Sequence, residues 1–299
     1  MRGLLPAALL AATMGCSVRR FAVNKLGDAL AGSSSTFASE EDPELVGDAS
    51  PFALKLIESL LVESPRHRGL LLAAASGFTQ YAYAFVQQPA DELEDQNLAQ
   101  ATRLHTRARR LYLRARDYGV RGLEARRPGF EKALRADPMS AVRAVGKTDV
   151  PFLYWTAAAW GAAISLSKDD PETVADQPLV EALIDRALEV DEAFDHGAIH
   201  SFLVSYEPSR PAGVGDAAAR ARKHFERAVE LSGGKLASPL VAFAETVSVS
   251  KQNKQEFEAL LKRALEIDVN ARAEWRLANL ITQRRARWLL GRMDQLFVE

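Results

Sequence analysis

From Leu70 to Val86 the sequence reads LLLAAASGFTQYAYAFV and carries no charged residue. As an α-helix this run is roughly 25 Å long and apolar all round, so it needs neighbours on every side. Ala73, Ala74, Ala75, Gly77, Ala82 and Ala84 are small, whereas Leu71, Phe78, Tyr81, Tyr83 and Phe85 are bulky. Partner helices therefore close in at some levels and meet knobs at others. The alternative is a membrane span, which needs about 20 apolar residues. This run contains Ser76, Thr79 and Gln80 and leads into Pro89 and Asp91-Glu92. The balance favours a buried central helix around which the rest of the chain is arranged.

With 299 residues and 47% hydrophobic content, the chain can bury one large core or two smaller ones. Its 38 Lys+Arg against 39 Asp+Glu leave a formal net charge of −1, which supplies no field to hold a polyanion and argues against nucleic acid as a partner. Met1-Arg2 is followed by an apolar stretch to Met14 and then Gly15-Cys16, with Cys16 the single cysteine. A basic start, a short apolar region and a small residue before the cut describe an export signal over residues 1–15. Cys16 at that place resembles a bacterial lipobox, where the thiol would take a diacylglycerol and the new amine an acyl chain; the other reading is a chance cysteine. Several acyl chains anchor a protein stably where one does not. Residues 16–49, with Ser33-Ser34-Ser35-Thr36 and Glu40-Glu41-Asp42-Pro43, read as a tether and lead-in, and residues 50–299 as one helical domain.

Beyond the tether the pattern is helix after helix, with no convincing period-two strand. Ser50-Pro51 reads as the cap and first turn of a helix with Phe52, Leu56, Leu60 and Leu61 on its apolar face, ended by Ser64-Pro65. Farther on, Leu104, Ala108, Leu111, Ala115 and Tyr118 step by threes and fours along one apolar stripe, and Arg103, Arg107, Arg110 and Arg114 stand directly beside it. Such a guanidinium row is either a solvated face whose alkyl stems cover the core or a strip that docks an acidic partner or anionic ligand. A small motif recurs as Phe130-x-x-Ala133-Leu134, Ile184-x-x-Ala187-Leu188, Phe225-x-x-Ala228-Val229 and Leu261-x-x-Ala264-Leu265. Alanine lets an adjoining helix pass close while the residue three before fills the groove beside it, as in tetratricopeptide (TPR) repeats of about 34 residues. The spacing here is uneven, and an irregular bundle is the alternative. The fold class expected is all-α, a helical-repeat (TPR-like) α-solenoid or bundle around central hydrophobic helices.

The wording of the sequence also resembles a family. Asp42-Pro43-Glu44-Leu45-Val46 leading to Pro51-Phe52-x-Leu54-Lys55 and Glu58-Ser59-Leu60-Leu61 is similar to the start of the T component (TatT) of TPR-associated TRAP transporters. So are Leu70-Leu71-Leu72-x-Ala74, Tyr81-Ala82-Tyr83-Ala84-Phe85-Val86, Tyr118-Gly119-x-Arg121, and Trp155 followed by Gly161, Ala162 and Leu166. Asp169-Asp170-Pro171-Glu172 follows, and the tail adds Leu277-Ala278-Asn279, Gln283, Arg285-Ala286-x-Trp288-Leu289-Leu290 and Phe297, all in order. The resemblance implies a periplasmic lipoprotein that works beside a TRAP permease, docks its soluble solute-binding P subunit, and forms a homo-trimer whose protomers each enclose a pore or cavity. Outer-membrane anchoring is slightly favoured because Ser17, and not Asp, follows Cys16. Tyr81, Tyr83, Phe85, Trp155 and Trp160 are large aromatics on helices rich in small residues, where an apolar cavity would be lined; the competing reading is that they fill the core.

An enzyme is not expected. The chain has no Gly-x-Ser-x-Gly elbow, no phosphate loop and no His-Glu-x-x-His, and Gly213-Val214-Gly215 reads as a linker. His196 and His200 share a helical face at i, i+4, a spacing that can hold zinc, but further ligands are not at hand and packing or surface histidines are expected. Glu181, Asp185, Glu189 and Glu192 form an acidic, solvated face. No cofactor or metal is implied. Two functions remain: an accessory subunit of solute uptake that docks a P subunit and holds an apolar ligand, and a scaffold lipoprotein of envelope assembly whose concave surface holds partners without a ligand.

Overall fold

The computed structural model describes residues 24–29, 32, 34–210 and 215–298. The signal, Cys16, and Gly213 with Val214 lie outside the described residues. Among the described residues there is no strand. The helices are α1 (Ser34–Ala38), α2 (Pro43–Glu63), α3 (Arg68–Ala82), α4 (Gln88–Leu93), α5 (Leu98–Arg126), α6 (Phe130–Ala136), α7 (Pro138–Arg143), α8 (Val150–Ser165), α9 (Pro171–Val174) and α10 (Gln177–Val190). They continue as α11 (Ala198–Tyr206), α12 (Ala217–Leu231), α13 (Ser238–Phe243), α14 (Lys254–Leu265), α15 (Arg276–Leu290) and α16 (Met293–Leu296).

The charge-free run is the central helix the sequence leads one to expect, built as α3, a π-helical turn over Tyr83–Gln87, and α4. Leu70, Leu71, Ala74, Ala75, Phe78, Ala82 and Val86 are buried, and α2, α5 and α8 pack around them. The continuous segment Arg68–Leu93 is long and apolar enough to cross a membrane, but here it is the core helix of a bundle. His67 caps it by accepting the Leu70 backbone N–H at 3.2 Å.

The helix assigned from Ser50-Pro51 begins earlier. Asp42 is the cap, its carboxylate accepting from the Leu45 N–H at 3.1 Å, and Pro43 stands in the first turn. An acid followed by proline is a stronger start than the serine followed by proline within the same helix. Ser50 instead bonds the Val46 carbonyl at 2.6 Å, and Pro51 lies inside α2. Gly47 lets α2 approach the π turn, because a Cβ there would stand 2.9 Å from the Phe85 ring.

The long α5 lies across α3 and α8. Its crossing with α8 depends on two glycines: a Cβ on Gly119 would be 2.1 Å from the Thr156 hydroxyl oxygen, and one on Gly122 would be 1.9 Å from the Phe152 ring. Asp149, fully buried, ties the ends of three helices together. It receives Arg68 from the start of α3 at 2.5 Å, Arg127 from the end of α5 at 2.6 Å, and stands immediately before α8.

Three hydrophobic clusters result, the smallest joining Ala82 and Val86 to Ala108, Tyr112 and Ala163. The first is built by α2, α3, α5, α8, α10 and part of α11, the second by α12 to α15 with Phe297. Helix α11 serves both, since Ile199, Leu203 and Tyr206 enter the first cluster and Val204 the second. The recurrent alanines Ala187, Ala228 and Ala264 are completely buried at helix crossings, as their spacing suggests, but Ala133 is exposed and Leu134 takes the core position beside it.

Candidate binding site between the two helical units

The two units meet twice. On one side they share α11; on the other, α15 returns to the beginning of the chain. Arg285, Arg284 and Arg292 reach Asp91, Glu92 and Asp95 at 3.0, 3.1 and 2.6 Å, and Arg276 donates to the Ser39 carbonyl at 2.8 Å. Neighbouring helices thus form a circuit: α2 packs on α3, α3 on α8, α8 on α11, α11 on α13, α13 on α15, and α15 on α2. Among the described residues, α8 and α15, on opposite sides of the circuit, make at most a slight contact.

Two π-helical turns stand where the units face each other, Tyr83–Gln87 after α3 and Ala244–Ser248 after α13. A π turn inserts a residue into the helical register and re-aims the side chains around it. Tyr83, from the first, is acted on by Glu245 of the second, by Arg285 of α15 and by Asp91 of α4. Its side chain is 46% exposed, yet loss of water around the phenol raises its pKa. Asp195 behaves alike: it is exposed, and burial pushes its carboxyl up, beside Tyr154, whose phenol is also raised.

Arg285 lies at the centre of the seam, 7% exposed. Its Nη2 donates to Glu245 and forms an ion pair with Asp91 at 3.0 Å, and the Trp288 ring covers its face at 4.1 Å. Asp91 is held from behind by His105 at 2.8 Å, and Tyr112 donates to Gln87 at 2.6 Å. The carboxylates on either side raise the guanidinium pKa against the desolvation that opposes its charge.

The aromatics singled out in the sequence separate into different places. Tyr81 and Phe85 pair at 5.9 Å, and Arg107 donates to the Tyr81 hydroxyl at 3.1 Å. Tyr83 points away from that pair, into the seam. Trp155 meets Tyr154 edge-on at 4.9 Å, and Tyr154 meets Phe194 at 5.4 Å. Trp160 does not line an open space: it is 2% exposed, inside the first core, with Arg116 and Arg135 over its ring at 5.0 and 5.7 Å. Of the arginine row, Arg107 and Arg114 lie over Tyr81 and Phe78, and Arg114 also faces Glu58 at 3.6 Å. Arg103 and Arg110 are exposed, with no polar partner among the described residues.

Sequence reasoning missed Arg285, Glu245 and Asp91 as a set. They lie on α15, the second π turn and α4, and only the return of α15 to α4 joins them; π turns leave no periodic mark in a sequence.

The histidines follow the packing reading. His196 is exposed and meets Trp275 edge-on at 4.9 Å, whereas His200 is buried and shares a 2.8 Å hydrogen bond between Nδ1 atoms with His224. One ring must donate and the other accept, so double protonation is excluded while the bond persists. Burial lowers both pKa values, that of His224 to about 4. The unfolded chain therefore takes up protons first, and the stabilisation present above pH 6.5 is expected to be lost as pH falls towards about 4. Denaturant midpoints measured across that interval check this, and His224→Asn should flatten the acid limb.

Residues 39–297 match the model of the family described as the TRAP transporter T-component. An uncharacterized protein of Treponema pallidum (strain Nichols) is 28% identical over 306 aligned positions, covering 95% of this chain and 94% of that one. The match spans α2 to α16, including both π turns and the seam between them. The chain therefore belongs to the TRAP transporter T-component family, as an accessory, envelope-associated transporter subunit of all-helical fold.

Proposed function

We propose that this subunit docks the periplasmic solute-binding protein of its transporter and holds an apolar ligand in the space bounded by the six-helix circuit. The observation that carries the reading is the match of residues 39–297 to the TRAP transporter T-component family. The ligand would lie in the middle of this circuit, between α8 and α15. Small residues of α3 and α8 and the aromatics Tyr83, Tyr154 and Trp155 suit such an interior for an apolar occupant. Its chemistry is burial and release, without bond making.

In this reading the protein is exported, cleaved before Cys16 and anchored by lipid, with the outer membrane favoured, and the successive helices α10 to α15 act as tetratricopeptide-like hairpins. A homo-trimer would cover the apolar residues that α2 exposes, Leu45 and Phe52, which stand on one face of that helix. The P subunit would be seated by the guanidinium row Arg103, Arg107, Arg110 and Arg114 through acidic residues of its own. Arg103 and Arg110 are the sharper probes because neither supports a neighbour in the fold. Reversing both to Glu is expected to weaken complex formation at least about tenfold, mainly through slower association, and to reduce its salt dependence. Surface plasmon resonance against the solute-binding protein at two ionic strengths measures this; unchanged binding excludes the row as the docking strip.

A further inference from the structure

The described chain enters the fold at one end of the first helical unit. The Asn24 side-chain oxygen accepts from the Ser64 hydroxyl at 2.7 Å, and the Asn24 carbonyl lies 3.2 Å from Nε2 of His67. At this end α2 and α5 finish while α3 and α8 begin, so the helix dipoles largely cancel and side chains set the field. Arg66 donates to the Ala125 carbonyl at 2.9 Å, Arg121 to the Pro65 carbonyl at 3.2 Å, and Arg126 to the Thr148 hydroxyl at 2.6 Å. All three arginines are exposed, and each gives an N–H to a neutral oxygen.

The acids nearby are engaged with other groups. Asp149 takes Arg68 and Arg127, Glu124 accepts from the backbone N–H groups of Gly129 and Glu131, and Asp28 stands 3.3 Å from His67. Arg126 keeps a longer contact with Asp149, at 3.5 Å. Arg66, Arg68, Arg121, Arg126, Arg127 and Lys25 outnumber Asp28, Glu63, Glu124 and Asp149, so this end is positive although the whole chain is not.

The sequence before Asn24 has the same sign. Ser17-Val18-Arg19-Arg20-Phe21-Ala22-Val23 contains two arginines and no acid. Asn24 follows Cys16 by eight residues, a reach of roughly 28 Å at full extension. Acyl chains on Cys16 would hold this end of the fold close to a bilayer surface. Basic residues just outside an anchored segment are attracted to anionic lipid, by about 1 kcal/mol each at the surface.

We infer that the end formed by Arg66, Arg121 and Arg126 is a membrane-facing surface that binds the phosphate headgroups of anionic lipid in the leaflet that anchors Cys16. This rests on the reading of Cys16 as lipidated. The acyl chains supply attachment and the guanidiniums supply orientation, since their planar forks match phosphate oxygens. Arg103 and Arg110 lie on α5 roughly 35 and 24 Å before its C-terminal end, so a soluble partner reaches them clear of the bilayer.

The test uses the mature chain, residues 16–299, made without acyl groups as Cys16→Ser and sedimented with vesicles. One set is phosphatidylcholine alone; the other contains about one third phosphatidylglycerol. Binding is expected to the anionic vesicles only and to disappear at high salt. Arg66→Gln, Arg121→Gln and Arg126→Gln together are expected to weaken it at least about tenfold. Lysine at the same three positions should retain most of it, which separates charge from a damaged fold, and Arg103→Gln with Arg110→Gln should change it less than about twofold. Equal binding to both vesicle sets, no binding to either, or an unaltered triple glutamine variant would overturn the surface. Acylation is read separately, from the mass of the N-terminal peptide of the envelope-purified chain. An unmodified Cys16 beside intact vesicle binding would overturn the anchor and keep the arginine surface.

Discussion

Replacing Arg285 with methionine is expected to lower the free energy of unfolding by about 3–5 kcal/mol, because it leaves two carboxylates facing each other in a buried seam. Asp91 and Glu245 have no other cation within ion-pair distance among the described residues, and Asp91 has only the His105 imidazole behind it. The loss should be largest where α15 meets α4, seen as faster amide exchange in both segments. Adding Asp91→Asn and Glu245→Gln to the same variant should return most of the stability, since a neutral seam has no charge left to compensate. Chemical denaturation of the single and triple variants measures both steps. A single variant within about 1 kcal/mol of the parent would mean that the seam is solvated, as surface ion pairs are.

The second large effect lies at Asp149. Asp149→Ala is expected to cost a further roughly 3–5 kcal/mol, because it strands Arg68 and Arg127 beside a fully buried position and loosens α3, α5 and α8 at once. Arg126, at 3.5 Å, adds to the same concentration of positive charge. These guanidiniums hold the Asp149 carboxyl below the usual carboxylate range against the burial that raises it. Its contribution is therefore complete at neutral pH and disappears as pH falls through that lowered value, in contrast to the histidine pair, which fails earlier in the descent. Thermal unfolding of Asp149→Ala should keep the helical circular dichroism of the parent at low temperature and lose it far sooner on heating. An unchanged midpoint would show that the three helix ends are held by other contacts.

The all-helical fold and the central helix were legible because both are written in periodicity. A charge-free run with alternating small and large residues permits few arrangements, and α3 has the neighbours it demands. The start of α2 was misplaced because Ser50-Pro51 has cap-like composition, and nothing local distinguishes it from Asp42-Pro43 until the helix is seen to pass through. Three of the four recurrent alanines do the same work at helix crossings, and Ala133 shows that a local match does not guarantee a crossing partner. For the candidate site, the sequence pointed at Tyr83 among other aromatics but also at Trp160, which the core absorbs. An aromatic on an apolar helix reads alike whether it faces a space or a neighbour. The polar seam was not readable, since it joins residues far apart in the chain through two register shifts and one returning helix.

The central claim, that the protein serves its transporter by docking a solute-binding subunit, is tested most directly by purifying the full, membrane-anchored chain from its native envelope and identifying by mass spectrometry what accompanies it. The account predicts a periplasmic solute-binding protein of the TRAP type in a fixed ratio to this chain. Recovery of envelope-assembly proteins alone, or of no partner under conditions that preserve known envelope complexes, would contradict it.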